Sequence, residues 1–346
     1  GDIPEDDPVH QGIATQIVKS CGGLPILVLP VAMALKDKPL HVWEDALNRL
    51  QSGLLKDGDS SQQLAYSALE LSCSHLGAEQ MSLFMFCGLL KQYDIHLDDL
   101  VKYTVGLSLF KDCSTVKATR SRVLKLLGDL IGSCLLLEDG GYKYFTMHDV
   151  VHSFVRGYSD HVFSPLDNSV VEEWPDMHTL GQLTHISLRY CQLPDLPARL
   201  ECPNLKVLLL YGPPSAPSDR FFDACDELRV LDLSEVRLSP FPSSLRRLQN
   251  LQTLCLDRCV LEDVANIEKM IQLKILSLME ADIVHLPKEI GQLANIQLLD
   301  LSWCIELKKI SPGILSCLTH LEELYMRESF TQWGLRDRSS GQQINA

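Results

Sequence analysis

Two histidines four residues apart, in the string His148-Asp149-Val150-Val151-His152, are the side chains of this 346-residue chain best spaced to do chemistry. On one helical face they would offer two nitrogens to a zinc ion, as an H-E-x-x-H segment does. Aspartate stands where the general-base glutamate belongs, one methylene shorter, and no third ligand follows among Ser153–Asp160, with His161 just beyond. Metal-assisted hydrolysis is therefore not expected, and no metal site is assigned. Twelve cysteines are spread over the whole length without a C-x-x-C pair, so they read as buried reduced thiols and not as a zinc site or a disulfide framework. No G-x-x-x-x-G-K-[ST] string occurs, so the sequence lacks the loop of backbone N–H groups and the lysine that cradle nucleotide phosphates. No catalytic residue is assigned, and the chain alone is not expected to be an enzyme.

The elements that position these residues follow from pattern. Net charge is −14, which offers no long-range attraction to nucleic acid or to anionic membranes. Hydrophobic residues make up 46%, yet no apolar run approaches the ~20 residues of a membrane span, and Gly1–Pro8 is acidic where a secretory signal would be basic. A cytoplasmic protein is expected. Gly1 as first residue, and a last segment Ser339–Ala346 without finishing structure, read as a fragment of a longer chain.

Internal repetition decides the second half. Leu183, Leu205, Leu228, Leu251, Leu273, Ile296 and Leu321 each open an L-x-x-L-x-L frame, at steps of 22, 23, 23, 22, 23 and 25 residues. That period belongs to leucine-rich repeats, in which a short strand and a return segment bury their leucines by stacking on neighbours. Cys191, Cys259 and Cys304 share one phase of the frame, and Pro197, Pro242 and Pro287 another, with Pro312 two residues later in the longer sixth repeat. Prolines at a fixed phase suit return segments and would break amphipathic helices. Alternation then sends frame positions such as Ile186 and Leu188 inward. The intervening residues point outward on the concave sheet, among them His185, Arg189, Val207, Leu209, Tyr211, Val230, Asp232, Thr253, Asp257, Ile275, Met279, Leu298, Asp300, Glu323, Tyr325 and Arg327. Exposed apolar residues in register make Val207, Leu209, Tyr211, Val230, Ile275, Met279, Leu298 and Tyr325 candidates for a protein or intramolecular contact.

The first half has helical periodicity. Ile13, Ile17 and Cys21 form one face, Leu24, Leu27, Val28, Val31 and Leu35 a second, and Trp43, Ala46, Leu47 and Leu50 a third. Gly22-Gly23 separates the first two helices, Pro25 suits a first turn, and Pro30 predicts a kink. Val123, Leu126, Leu127, Leu130 and Ile131 make a further stripe. Cys134–Leu137 and Tyr142–Phe145 then read as strands joined by Asp139-Gly140-Gly141. A helix followed by a hairpin is a winged-helix pattern, but Arg120, Arg122, Lys125 and Lys143 are too few cations for DNA binding.

Three strings in order resemble plant nucleotide-binding leucine-rich-repeat disease-resistance proteins of the coiled-coil type. Cys21-Gly22-Gly23-Leu24-Pro25-Ile26, continued by Trp43-Glu44-Asp45-Ala46-Leu47, is similar to the G-L-P-L segment of their NB-ARC module. Leu69-Glu70-Leu71-Ser72 and Ser82–Leu90 look like the entry to the winged-helix subdomain, and Met147-His148-Asp149 matches the M-H-D motif. The departures are Ile26 and Leu27, where Leu and Ala are usual, and Pro30. The resemblance implies an α/β chain with a leucine-rich-repeat horseshoe preceded by helical and winged-helix subdomains, over residues 163–346, 1–58 and 59–162 respectively. It implies an ADP/ATP-dependent switch in plant defence whose complete members bind and slowly hydrolyse ATP and oligomerise on activation. Gly23, Leu24 and Pro25 would pack on the adenine, and His148 would donate to the β-phosphate of ADP, flanked by the regulatory residues Met147 and Asp149. Partners would be proteins: a pathogen effector, a guarded host protein or other receptor domains. Two plainer readings stand beside these. Pro25 also suits a helix start, and His148 also suits a buried, satisfied histidine beside an N-cap Asp149. As a whole, the alternative is a protein-binding repeat module with a nucleotide half that is only structural.

Overall fold

A computed structural model of the chain describes residues 7–55, 61–90, 95–139, 141, 143–158, 161–165, 168–189, 191–213, 215–238, 240–261 and 265–329. The expected domain limit at 58/59, the turn residue Gly140, the strand residue Tyr142 and the end segment Ser339–Ala346 lie outside these. The chain is a helical region followed by the long parallel sheet of a leucine-rich-repeat solenoid, an α/β fold. Two compact units are formed: residues 1–97 with 122–159, and residues 98–121 with 160–346.

In the first unit, local signals start and stop each helix. Asp7 caps α1 (Pro8–Ser20) by accepting from Val9 N–H at 2.9 Å, and Pro8 takes a first-turn position that needs no donor. The helix ends where Gly23 N–H reaches back to Val18 C=O at 3.0 Å, with Gly22 and Gly23 both left-handed (φ +63° and +68°). Next come α2 (Pro25–Leu35), α3 (Leu40–Leu55), α4 (Ser61–Cys73) and α5 (Ala78–Leu90); α2 is continuous through a buried Pro30. Ile13, Ile17, Leu27, Val31, Leu35, Ala46, Leu47 and Leu50 are buried, as the helical spacing predicts. Val28 and Trp43 are half-buried, and Leu24 is 48% exposed because it precedes the first turn of α2 and lies outside the helical period.

Strand β1 (Ile95–His96) leads into α6 (Leu97–Leu107) and α7 (Val116–Gly132), followed by β2 (Leu137–Asp139), β3 (Tyr144–Thr146) and α8 (Asp149–Gly157). The three strands make an antiparallel sheet in the order β1-β3-β2. The hairpin starts later than the sequence suggests. Cys134 takes φ +57° and Leu135 N–H returns to Leu130 C=O at 3.0 Å, so 133–136 finish α7 and pairing begins only at Leu137.

The second unit is built on an eight-stranded sheet. Its strands are β4 (Val162–Phe163), β5 (His185–Leu188), β6 (Val207–Leu210), β7 (Val230–Asp232), β9 (Thr253–Cys255), β11 (Ile275–Ser277), β13 (Leu298–Asp300) and β15 (Glu323–Tyr325), all parallel; α9 (Met177–Gln182) precedes β5. Shorter pairs form on the return side, β8 (Arg237–Leu238) with β10 (Val260–Leu261) and β12 (His285–Leu286) with β14 (Lys309–Ile310). The frame leucines fill one continuous core. Phase explains the two accompanying residue types. Cys259 and Cys304 donate Sγ–H to the carbonyls of Leu233 and Leu278 in the preceding repeat, each at 2.9 Å. Pro242 and Pro287 stand as N-caps of 3-10 turns at 243–247 and 288–292, where a fixed φ and a missing N–H cost little.

Candidate functional site

Two places gather the residues singled out in the sequence. The first lies within the helical unit. Pro25 is the first residue of α2, capped by Leu24 without a side-chain hydrogen bond; Gly23, Leu24 and Pro25 are all exposed. A Cβ at Gly23 would meet nothing within 4 Å, so its glycine identity serves the left-handed turn and no close packing contact. Helix α4 packs against both α2 and α8, which ties the G-L-P-L segment to the M-H-D segment through one element.

At the M-H-D segment, β3 delivers Met147 into the core while His148 and Asp149 stay exposed. His148, not Asp149, caps α8: its backbone is extended (φ −62°, ψ 143°) and its Nδ1 accepts from Val150 N–H at 3.2 Å. Asp149 is then the first helical residue, where its charge favours the helix N-terminus. A lone pair on Nδ1 places the proton of a neutral ring on Nε2, so the outer edge of the exposed imidazole is a donor. On its inner side α8 buries Val151, His152, Phe154 and Val155, and Gly88 of α5 admits Val155; a Cβ there would stand 2.2 Å from Val155 Cγ1. Among the described residues no group of three or more His, Cys, Asp and Glu is placed to hold a metal ion.

The second place is the concave sheet, and here the expectation of an exposed apolar row needs correcting. Val207, Leu209, Val230, Ile275 and Leu298 are buried, Tyr211 and Met279 half-buried, and Tyr325 exposed. Strand alternation does turn them away from the leucine core, but residues 98–121 of the same unit lie on this face. Gly106 of α6 sits so close that a Cβ would stand 2.5 Å from Thr253 Oγ1 and 2.7 Å from Val230 Cγ2. One turn back, Thr253 donates to the Lys102 carbonyl at 2.7 Å.

Charge locks the segment in place. Lys102 Nζ donates to Ser277 Oγ at 2.9 Å and lies 3.5 Å from Asp257 Oδ2, with both side chains nearly dry at 6% and 10% exposed. Burial opposes the Lys102 charge, yet Asp257, with Asp99 and Asp300 beyond it, holds the ammonium well above the ordinary lysine range. Tyr103 donates its phenol to Asp232, whose other oxygen accepts from Ser234 N–H at 3.0 Å. Burial pushes the Asp232 carboxyl up against the pull of Arg189. Arg189 donates to Asp99 at 3.1 Å and to Tyr211 Oη at 3.0 Å while stacking on the Tyr211 ring at 4.6 Å. At the far end, Glu322 accepts from Val116 N–H at 2.9 Å, capping α7, and Arg120 donates to Glu323 at 2.9 Å and Tyr325 at 3.3 Å. Sequence reading named Arg189, Asp232, Asp257 and Glu323 as outward groups but missed Asp99, Lys102, Tyr103 and Gly106. Nothing local in the sequence marked them, because the burial of Lys102 and Tyr103 arises from contact with residues more than a hundred positions away.

No protein-family model matches the chain. It is 28% identical over 284 residues to a probable disease resistance protein of Arabidopsis thaliana, covering 79% of this chain and 30% of that protein. A second Arabidopsis thaliana disease resistance protein is 28% identical over 353 residues, covering 97% of this chain and 35% of the relative. The disease resistance protein RPS5 of the same plant is 27% identical over 258 residues, 71% of this chain and 29% of the relative. The chain therefore spans about a third of the length of the curated relatives it matches. Among solved structures, an internalin of Listeria monocytogenes aligns at TM-score 0.39 and 19% identity over 47% of this chain and 48% of that one. A leucine-rich-repeat protein of Leptospira interrogans aligns at 0.37 and 26%, over 44% and 45%. With its repeat sheet preceded by a helical region, the chain is distantly similar, over most of its length, to plant disease resistance proteins.

Proposed function

We propose that this chain is the lid and sensor portion of a plant intracellular immune receptor, an ADP/ATP-dependent switch whose repeats hold it off until a protein signal arrives. One observation carries the reading: the concave face, where a repeat protein would meet a partner, is held by residues 98–121 through Lys102–Asp257 and Tyr103–Asp232. A partner competing for that face would displace the segment, which couples recognition to the winged-helix elements by differential contact in two states. On this reading Val207, Leu209, Tyr211, Val230, Ile275, Met279, Leu298 and Tyr325 serve an internal contact first and a protein partner second.

For the nucleotide, Gly23, Leu24 and Pro25 offer an exposed flat apolar edge to adenine, and the outer Nε2–H of His148 offers a donor to the β-phosphate. Phosphate chemistry would be supplied by groups other than this chain's own, which have no P-loop. The test uses the full-length product of the gene, purified and analysed for bound nucleotide by chromatography after denaturation. Stoichiometric ADP in the parent protein and its loss in His148→Ala support the switch. Absence of nucleotide in the parent, or equal ADP in the variant, leaves the protein-binding module with a structural nucleotide half.

A further inference from the structure

A second row of side chains runs along the N-terminal edge of the sheet, one residue before the concave strands. Thr184, Lys206, Arg229, Gln252, Lys274, Gln297 and Glu322 are joined there in one ladder. Each donates its backbone N–H to the carbonyl of the previous member: Lys206 to Thr184 at 2.8 Å, Arg229 to Lys206 at 3.0 Å, Gln252 to Arg229 at 2.9 Å, and Lys274 to Gln252 at 2.8 Å. Three of these are cations, in a protein whose net charge is −14. Among the described residues none of the three has a carboxylate within ion-pair distance. Arg229 Nε is buried and meets no acceptor. The nearest acidic member of the ladder, Glu322, is committed to Val116 N–H at 2.9 Å and Gln297 at 3.1 Å.

Lys206 is exposed, but Arg229 and Lys274 are half-buried, and half-buried cations without a counter-charge are unfavourable and persist where something else supplies the negative charge. Burial and neighbouring positive charge act on groups at and beside the row. Burial and then Arg229 push the Lys274 ammonium down, and burial and then Lys206 push the neighbouring His185 ring down to about 4, which leaves that ring neutral at pH 7.

We propose that Lys206, Arg229 and Lys274, with the Gln252 amide between the last two, form a ledge that binds a small phosphate-bearing polyanion. Strands lie about 4.8 Å apart, so Lys206 and Arg229 are neighbours about 5 Å apart in backbone and Lys274 stands about 10 Å beyond Arg229. One orthophosphate can bridge only the first pair, whereas a chain of linked phosphates can reach all three on their flexible stems. The guanidinium of Arg229 suits a phosphate's paired oxygens. Size follows from charge. An acidic protein surface would feel the repulsion of the whole −14 chain, whereas a small ligand seated on the row lies within one screening length, ~8 Å at physiological salt, of each cation it touches and is screened from most of the remaining charge. Gln252 can contribute its amide N–H, because its Oε1 already accepts from Ser108 Oγ at 3.2 Å.

The test is calorimetric titration of the chain with sodium tripolyphosphate, with orthophosphate and the blocked peptide acetyl-Glu-Glu-Glu-amide as comparisons. Expected are one tripolyphosphate per chain, binding at least tenfold tighter than orthophosphate and weakening with salt, a tenfold or greater loss in Arg229→Gln, and no change in Lys288→Gln, an exposed lysine outside the row. Because Arg229 is uncompensated, Arg229→Gln should melt no lower than the parent when no ligand is present. If it fails to fold, Lys206→Gln at an exposed position decides, with a threefold or greater loss expected. Unchanged affinity in whichever variant decides, or several equivalent tripolyphosphates per chain, overturns the ledge. Equal affinity for the glutamate peptide overturns its assignment to phosphate.

Discussion

Replacing Lys102 by methionine is the sharpest perturbation of the concave contact. The stem is nearly preserved, so packing along α6 changes little, while Asp257 loses the ammonium 3.5 Å away and Ser277 loses its donor. Breaking a buried pair from one side costs about 3–5 kcal/mol, since the partner's charge is left in a dry setting. Asp257 keeps one hydrogen bond, its Oδ1 accepting from Met279 N–H at 3.0 Å, which places the expected cost near ~3 kcal/mol, at the low end of that range. The assay is amide hydrogen exchange of α6, because the contact reports local opening and not the unfolding of the whole chain. At about 1.4 kcal/mol per decade, protection of the Leu100–Gly106 amides should fall roughly a hundredfold. The paired variant Lys102→Met/Asp257→Leu removes both charges and should recover most of that loss, giving a coupling energy of about 2 kcal/mol or more. Exchange in α6 unchanged by Lys102→Met, or a paired variant as damaged as the sum of the singles, would refute the buried pair as the lock.

Gly106→Ala adds a Cβ where Thr253 and Val230 already stand, so it should cost about 1–3 kcal/mol and speed α6 exchange, although alanine is the better helix former. Gly88→Ala should likewise destabilise the helical unit in urea by about 1–3 kcal/mol, and Val155→Ala in the same chain should restore part of it; a lack of rescue would rule out the close approach of α5 and α8. His185 gives a pH signature. Its folded pKa of about 4 lies below the free value near 6.5, so the unfolded state binds the extra proton, and stability falls as pH drops from about 6.5 to about 4 and then levels. The effect is at most about 3 kcal/mol, and His185→Gln should flatten that part of the urea-midpoint profile.

How much could be read from residues alone depends on the range of the interaction. The solenoid was legible because each leucine repeats a contact with its own neighbour one period away, and the cysteines and prolines report the same phase. The burial of Ile13, Ile17, Val31, Leu35 and Leu50 was legible for the same reason, a helical period of one face. What covers the concave sheet was not, since Lys102 and Asp257 are 155 positions apart and nothing local to either marks the other. Alternation placed Val230 and Ile275 on the correct face but could say nothing of what lies on it. At the M-H-D segment the error was one residue wide: aspartate is the better general N-cap, yet the extended backbone falls at His148, so the imidazole caps the helix.

Because residues 98–121 belong with the repeats, the chain crosses between its compact units three times, at 97/98, 121/122 and 159/160. A single cut therefore cannot separate them. A repeat array expressed from residue 163 onward, the limit read from the sequence, would leave behind the helix that covers Val230, Thr253, Asp232 and Asp257. It would present to water an apolar strip with Asp232 deprived of the Tyr103 phenol and Asp257 of the Lys102 ammonium, a surface suited to self-association. Soluble repeats are better sought by grafting 98–121 back onto them as a tethered peptide.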